Sequence, residues 1–231
     1  MKKLVVLSGA GISAESGIKT FRDADGLWEG HDVMEVASYD GFVKNKELVL
    51  DFYNQRRRQL HEVNPNRAHE ILVDLERFFN ITIITQNVDD LHERAGSSSV
   101  IHLHGELFKA RSLKDESLIY DWKKDLTIDS KNEKGHLLRP HIVWFGEQVP
   151  EMERAIKEVS KANILLIIGT SLQVYPAAGL IDYADSAKEI YYIDQNPADT
   201  RFFNKSIKTI ANKATIGMQS VFDELTQLKP F

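Results

Sequence analysis

Short apolar runs that alternate with stretches of helical spacing constrain this chain more than any other feature. Runs of mainly Val, Ile and Leu fall at residues 3–7, 81–85, 100–103, 142–145, Ile164–Ile168, 190–194 and 207–211. They are continuous, and Gly, Asn or Asp bound them, which suits parallel strands covered on both faces. Between them, 67–79, 150–161, 177–187 and 218–228 carry apolar residues at helical spacing. This alternation predicts an α/β fold with a doubly wound, mostly parallel, Rossmann-like sheet. Two stretches break it: residues 21–60, a loop followed by a long helical pattern, and 109–136, rich in Lys, Asp and Ser with weak strand signals. Both read as insertions that form a smaller lobe. The expected division of the single domain 1–231 is a larger part of residues 1–20, 80–105 and 140–231, beside a lobe of about 21–79 and 107–138. Ligands commonly sit in the cleft that such a division leaves.

Composition narrows the partners. A formal net charge of -5 argues against a general nucleic-acid binder, which needs excess Lys and Arg to neutralise phosphates. No apolar stretch approaches the ~20 residues of a membrane span, and the apolar run after Lys3 passes into glycine too soon for a signal peptide. A cytoplasmic monomer without nucleic-acid or membrane partners is expected. The chain has no cysteine, which removes disulfides, thiol nucleophiles and thiolate zinc sites together.

Gly9, Gly11 and Ala14 give GxGxxA directly after the first apolar run. That spacing lets backbone N–H groups and a helix N-terminus approach a pyrophosphate. Alone, it is equally an ordinary glycine turn. A dinucleotide dehydrogenase needs an acidic residue at the end of a second strand about 20 residues on. Here that region reads FRDADGLWEGHD, with no strand, so a nicotinamide oxidoreductase is disfavoured. Gly169, Thr170 and Ser171 follow the run Ile164–Ile168, and Asp194, Gln195 and Asn196 end the next one. Each could read ribose or phosphate, or simply cap a strand-to-helix turn. Gln86, Asn87 and Asp89 lie just beyond one run and His104 beyond another, so amide, carboxylate and imidazole converge on one crevice.

Six blocks in order, GAGISAESGI, TFR, TQNVDDLHERAG, HLHGEL, LRPHIVWFGE and GTSLQVYPAAGLI, resemble the sirtuin family, with greatest similarity to bacterial members of broad acyl-lysine specificity. The resemblance implies an NAD-dependent protein lysine deacylase that takes acylated-lysine proteins or peptides and yields free lysine, nicotinamide and O-acyl-ADP-ribose. It implies that NAD lies against Gly9, Ala10, Gly11, Ser13 and Glu15, with Phe21, Arg22 and Trp28 over the reacting ribose. Gln86, Asn87 and Asp89 would hold the ribose and nicotinamide, and Gly169, Thr170, Ser171, Asn196 and Ala214 the remainder. His104 would be the general base, with Asn87 and Asp89 completing the catalytic set; an imidazole near its ordinary pKa of ~6.5 suits that task. Residues 142–147, including Val143, Phe145 and Gly146, would hold the peptide as an added strand.

Val49, Phe52, Tyr53, Arg56 and Leu60 share one helical stripe, so Arg56 falls on an apolar face. Its stem could pack while the guanidinium reaches water, as expected for Arg57 and Arg58. Tyr53 and Arg56, three apart, point the same way. Tyr-x-x-Arg here resembles sirtuins that prefer succinyl- and malonyl-lysine, in which the pair grips the acyl carboxylate; Ala37 matches the small residue that widens the pocket. A desuccinylase and demalonylase that also deacetylates is therefore expected. The match breaks at the zinc module: the family's four cysteines are missing, and His102, His104, His136 and His141 have no four-ligand spacing. No structural zinc is expected, with Leu118, Ile119, Trp122 and Leu126 packing the lobe instead. Lys19 also replaces the family's proline. Two other readings are a mono-ADP-ribosyltransferase using the same pocket and an NAD-binding sensor with weak deacylase activity.

Overall fold

A computed structural model describes residues 1–19, 28–203 and 205–227. In chain order, β1 (Lys3–Ser8) is followed by α1 (Val33–Val36), α2 (Tyr39–Lys44), α3 (Lys46–Glu62), α4 (Arg67–Leu75) and β2 (Asn80–Thr85). Next come α5 (Leu91–Ala95), β3 (Val100–His102), β4 (Gly105–Ser112), β5 (Ile119–Asp121) and β6 (Leu138–Ile142). The chain returns through α6 (Met152–Val159), β7 (Ile164–Ile168), β8 (Glu189–Asp194), β9 (Lys208–Ala211) and α7 (Ala214–Gln227).

The larger sheet has the order β3-β2-β1-β7-β8-β9, and all its pairings are parallel. Its strands are continuous apolar runs because both faces are covered. Leu4, Val6, Ile83 and Leu166 pack under Ile71, Leu72, Met218 and Val221 of α4 and α7. Val5, Leu7, Ile84 and Ile167 face the other way, against Ala155 and Val159 of α6 and a 3-10 segment, Ala177–Tyr183. Strand order reverses at β1, which lies between β2 and β7, and Ser8 is in register with both Thr85 and Ile168. The loops leaving β1 and β7 diverge there and open a crevice at the carboxyl ends of the strands.

A second sheet, β5-β4-β6, is antiparallel. Here the sequence expectations need correction. The apolar run at 142–145 is not a strand of the main sheet: β6 ends at Ile142, and 143–147 turn along the crevice, where Phe145 is 40% exposed. Conversely, β4 and β5 form where strand signals were weak, because β4 interrupts its apolar residues with Lys109, Arg111 and Ser112 and β5 spans only Ile119–Asp121, so neither carries a continuous apolar run. Leu126 is buried, but Ile119 is 45% exposed and does not pack the lobe. Arg57 does not reach water. It is fully buried, with Nε donating to the Leu107 carbonyl (3.0 Å) and Nη1 to Asn54 Oδ1 (2.7 Å). Arg58 does reach the surface and pairs with Asp125 at 2.6 Å. Among the described residues no helix is long and apolar enough to cross a membrane.

Candidate active site

A cavity of about 670 Å³ occupies the crevice, between the carboxyl ends of β1, β2, β7 and β8 and the helices and small sheet. Its floor is where the loops after β1 and β7 touch: Gly11 N–H donates to the Gly169 carbonyl at 2.8 Å. A Cβ on Gly11 would lie 2.6 Å from Gly169 Cα, and Gly169 itself has φ +64, so neither position tolerates a side chain. The glycine loop leads into two short 3-10 segments, Ala10–Ile12 and Ala14–Ser16. The α-helix N-terminus expected after GxGxxA is therefore replaced by these tighter turns.

Ser13, fully buried, joins the polar groups beyond β2. Its Oγ donates to Asp89 Oδ2 (3.0 Å) and accepts from Asn87 Nδ2 (3.2 Å). Asp89 Oδ1 accepts from the Leu91 N–H (3.1 Å). Burial raises the Asp89 pKa to about 6 in spite of these bonds, so the carboxylate is ionised at neutral pH. Gln86 Nε2 donates to Thr170 Oγ1 at 3.0 Å, linking the β2 and β7 loops.

His104 follows β3, and its Nδ1 lies 3.0 Å from the Gln86 carbonyl. A carbonyl only accepts, so Nδ1 carries the hydrogen and Nε2 keeps its lone pair. Burial lowers the His104 pKa, partly offset by that bond. The result is a neutral, oriented imidazole on the cavity wall.

The opposite wall comes from the helical insertion. Ala37, Tyr53 and Arg56 all line the cavity, with Trp28 beside them. Tyr53 is fully buried, and its hydroxyl accepts from Trp144 Nε1 at 2.9 Å, which leaves the hydroxyl hydrogen for another acceptor. Burial raises its pKa, so it stays protonated. The Arg56 guanidinium stacks 3.8 Å over Phe52 and donates through Nη1 to the Phe52 carbonyl (2.6 Å). Its Nε is buried without a partner. Val143, Phe145 and Gly146 form the adjoining rim, held by hydrogen bonds from Val143 N–H to the His104 carbonyl and from Phe145 N–H to the Ala37 carbonyl, both 2.9 Å.

Gly9, Ala10, Gly11, Gln86, Asn87, Asp89, Gly169, Thr170, Ser171, Asn196 and Ala214 also line this cavity. Two expected cofactor residues do not. Ser13 sits behind the wall, and the Glu15 carboxylate turns away to accept from Thr215 N–H (3.0 Å) and Oγ1 (2.9 Å) at the start of α7. Phe21 and Arg22 lie outside the described residues. Sequence reasoning missed Glu29, Gln59, Val174 and Asn212, which line the cavity as well. Gln59 could have been found, three residues beyond Arg56 on the same stripe, and Asn212 by its place just past β9; Glu29 carried no signal.

Among the described residues no cluster of three or more His, Cys, Asp or Glu side chains is placed to hold a metal ion. Of the histidines near the missing cysteine module, His102 Nε2, on β3 of the larger sheet, pairs with Glu93 at 2.8 Å, and His136 Nδ1 meets Ser112 Oγ at 3.2 Å.

The model of the Sir2 family matches residues 9–176. The chain is 58% identical over 228 residues to an NAD-dependent protein deacylase of Helicobacter pylori, covering 99% of each. A solved Sir2 homolog–NAD complex superposes with a TM-score of 0.87 at 37% identity, covering 98% of this chain and 90% of that one. A Sir2 structure bound to acetylated peptide gives 0.79 at 28% identity, covering 96% and 92%. With the strand order, the glycine floor and His104 in place, these similarities establish that the chain belongs to the Sir2 family.

Proposed function

We propose that this chain is an NAD-dependent deacylase of protein lysines, and that it removes succinyl and malonyl groups as well as acetyl. The observation that carries this reading is a single cavity walled on one side by the lone-pair nitrogen of His104 and on the other by Ala37, Tyr53 and Arg56. The donor set suits NAD: a glycine floor without side chains, amides and a carboxylate at one end, and hydroxyl and amide groups of Thr170, Ser171 and Asn196 at the other. NAD supplies an electrophilic ribose carbon that receives the acyl oxygen as nicotinamide leaves, so the products are nicotinamide and an O-acyl-ADP-ribose.

The chain's own residues do the rest. Asn87 and Asp89, locked by Ser13, present a fixed amide and carboxylate at the nicotinamide end. His104 Nε2 takes a proton from a ribose hydroxyl, and the Gln86 carbonyl stabilises the imidazolium by holding its Nδ1–H. Tyr53 and Arg56 donate to the distal carboxylate of a succinyl or malonyl group, while Ala37 leaves room for it. The rim of Val143, Phe145 and Gly146 holds the peptide chiefly through backbone contacts, which favours broad peptide tolerance.

The test is mass spectrometry on matched acetyl-, malonyl- and succinyl-lysine peptides, with and without NAD, for the wild type and Arg56→Met. Loss of the charge-assisted bonds should cost desuccinylation about 2 kcal/mol, or roughly thirtyfold, and deacetylation much less. Equal losses would reduce Arg56 to a structural role. Survival of all three peptides while ADP-ribose moves onto protein would replace the deacylase reading with a transferase.

A further inference from the structure

Glu29 projects into the cavity from an unusual backbone position. Trp28 and His31 exchange backbone hydrogen bonds of 3.0 Å in each direction, so Glu29 and Gly30 form a two-residue turn, with φ +51 and +81. Such turns favour Asn, Asp or Gly at the first position, and the longer side chain of Glu is unusual there. The side chain is nevertheless placed where it matters. Glu29 Oε2 lies 3.7 Å from Arg56 Nη2 and 2.9 Å from Lys19 Nζ, and only 14% of the Glu29 side chain is exposed. All three residues line the cavity.

The contact to Arg56 is too long for a hydrogen bond. Arg56 Nε is buried without a partner, and Nη1 is engaged with the Phe52 carbonyl. Glu29 thus biases the guanidinium electrostatically without satisfying its donors. A dicarboxylic acyl group reaching Arg56 is repelled by the like charge of Glu29 already beside it, whereas a neutral acetyl group is not. Lys19 offers Glu29 a nearer cation to keep when the acyl carboxylate arrives.

We infer that Glu29 is a specificity-determining residue that competes with the acyl carboxylate for Arg56, and that Lys19 draws it aside. The inference rests on the proposed grip of Arg56 on dicarboxylic acyl groups. Glu29 acts as an internal competitor that lowers the preference for succinyl over acetyl below what Tyr53 and Arg56 alone would give. Lys19, where the resembled family has proline, moderates that competition.

The experiment compares kcat/KM on succinyl- and acetyl-lysine peptides of one sequence for the wild type, Glu29→Gln, Lys19→Met and the double variant. Glutamine keeps the size and turn of Glu29 while removing its charge. The succinyl-to-acetyl ratio should rise roughly threefold or more in Glu29→Gln, the scale of one partly exposed charge interaction. It should fall in Lys19→Met, and the fall should vanish in the double variant. A wild type that desuccinylates together with an unchanged or lower ratio in Glu29→Gln would overturn the competition and leave the Arg56 reading intact. If neither the wild type nor Glu29→Gln removes succinyl, the dicarboxylic reading of the pocket falls and the role of Glu29 falls with it.

Discussion

His104 illustrates how one backbone contact assigns a chemical role. Its Nδ1–H is fixed on the Gln86 carbonyl, because the other tautomer would leave a lone pair facing a carbonyl oxygen. Its lowered pKa keeps the ring neutral at neutral pH and ready to accept a proton. His104→Ala should reduce turnover by at least about a hundredfold. NAD binding, followed by calorimetry, should stay close to the wild-type affinity, because the glycine floor and the Ser13–Asn87–Asp89 network do not depend on the imidazole. Substantial turnover in this variant would remove His104 from the base role. Residue-level legibility depended on whether a partner was local. Tyr53 and Arg56 were readable because three residues of helix place them on one face. The bond that Glu15 accepts from Thr215 was not legible, because the two are 200 residues apart and no local pattern announces it.

At the scale of elements, the small sheet is tied together by buried charge. Arg139 of β6 is stacked 3.4 Å over Trp144 and bonded to both Glu147 oxygens (2.6 and 3.1 Å). Arg111 of β4 reaches the same carboxylate at 3.1 Å, and Trp144 N–H donates to it at 2.8 Å. Trp144 in turn donates to Tyr53, so this cluster also positions the cavity wall that Tyr53 forms. Glu147→Gln would leave the buried Arg139 guanidinium without its counter-ion and Arg111 with only the exposed Glu116 at 3.6 Å. It should lower stability by about 3 kcal/mol in urea unfolding; a loss under about 1 kcal/mol would show that the carboxylate is dispensable. The small lobe was the least legible part of the fold for this reason. Apolar periodicity reported the larger sheet faithfully through Ile164–Ile168 and its neighbours, yet it is blind to Arg57, Arg111 and Arg139, which are buried in the small lobe beside apolar residues such as Leu107, Ala110, Leu138 and Trp144. It also promoted 142–145 to a strand when those apolar residues serve as a cavity rim.

Over the whole molecule, the parallel sheet brings every strand end to one side, and the reversal at β1 opens the cavity there. The same compactness buries imidazoles that would titrate freely in the unfolded chain. His69 and His92 are essentially without solvent contact, their rings 5.0 Å apart, and each has one nitrogen unpartnered. Burial lowers the His69 pKa to about 4 and that of His92 well below its ordinary value; burial also lowers His104, and His141 to about 4. Between pH ~6.5 and 4 the unfolded chain therefore binds protons at these sites that the native state refuses, so their contribution to stability is lost as pH falls. Asp89, raised to about 6, and His102, whose Glu93 partner outweighs burial, act in the opposite sense. The four lowered histidines outnumber them, and net stability should decline from pH 7.5 to 5.5 in urea unfolding. His69→Gln, which removes a titrating group and keeps an acceptor for the Asn66 N–H, should shrink that decline by on the order of 1 kcal/mol. A decline of the same size in the variant would mean that the acid sensitivity of this fold arises elsewhere than in the imidazole buried between α4 and α5.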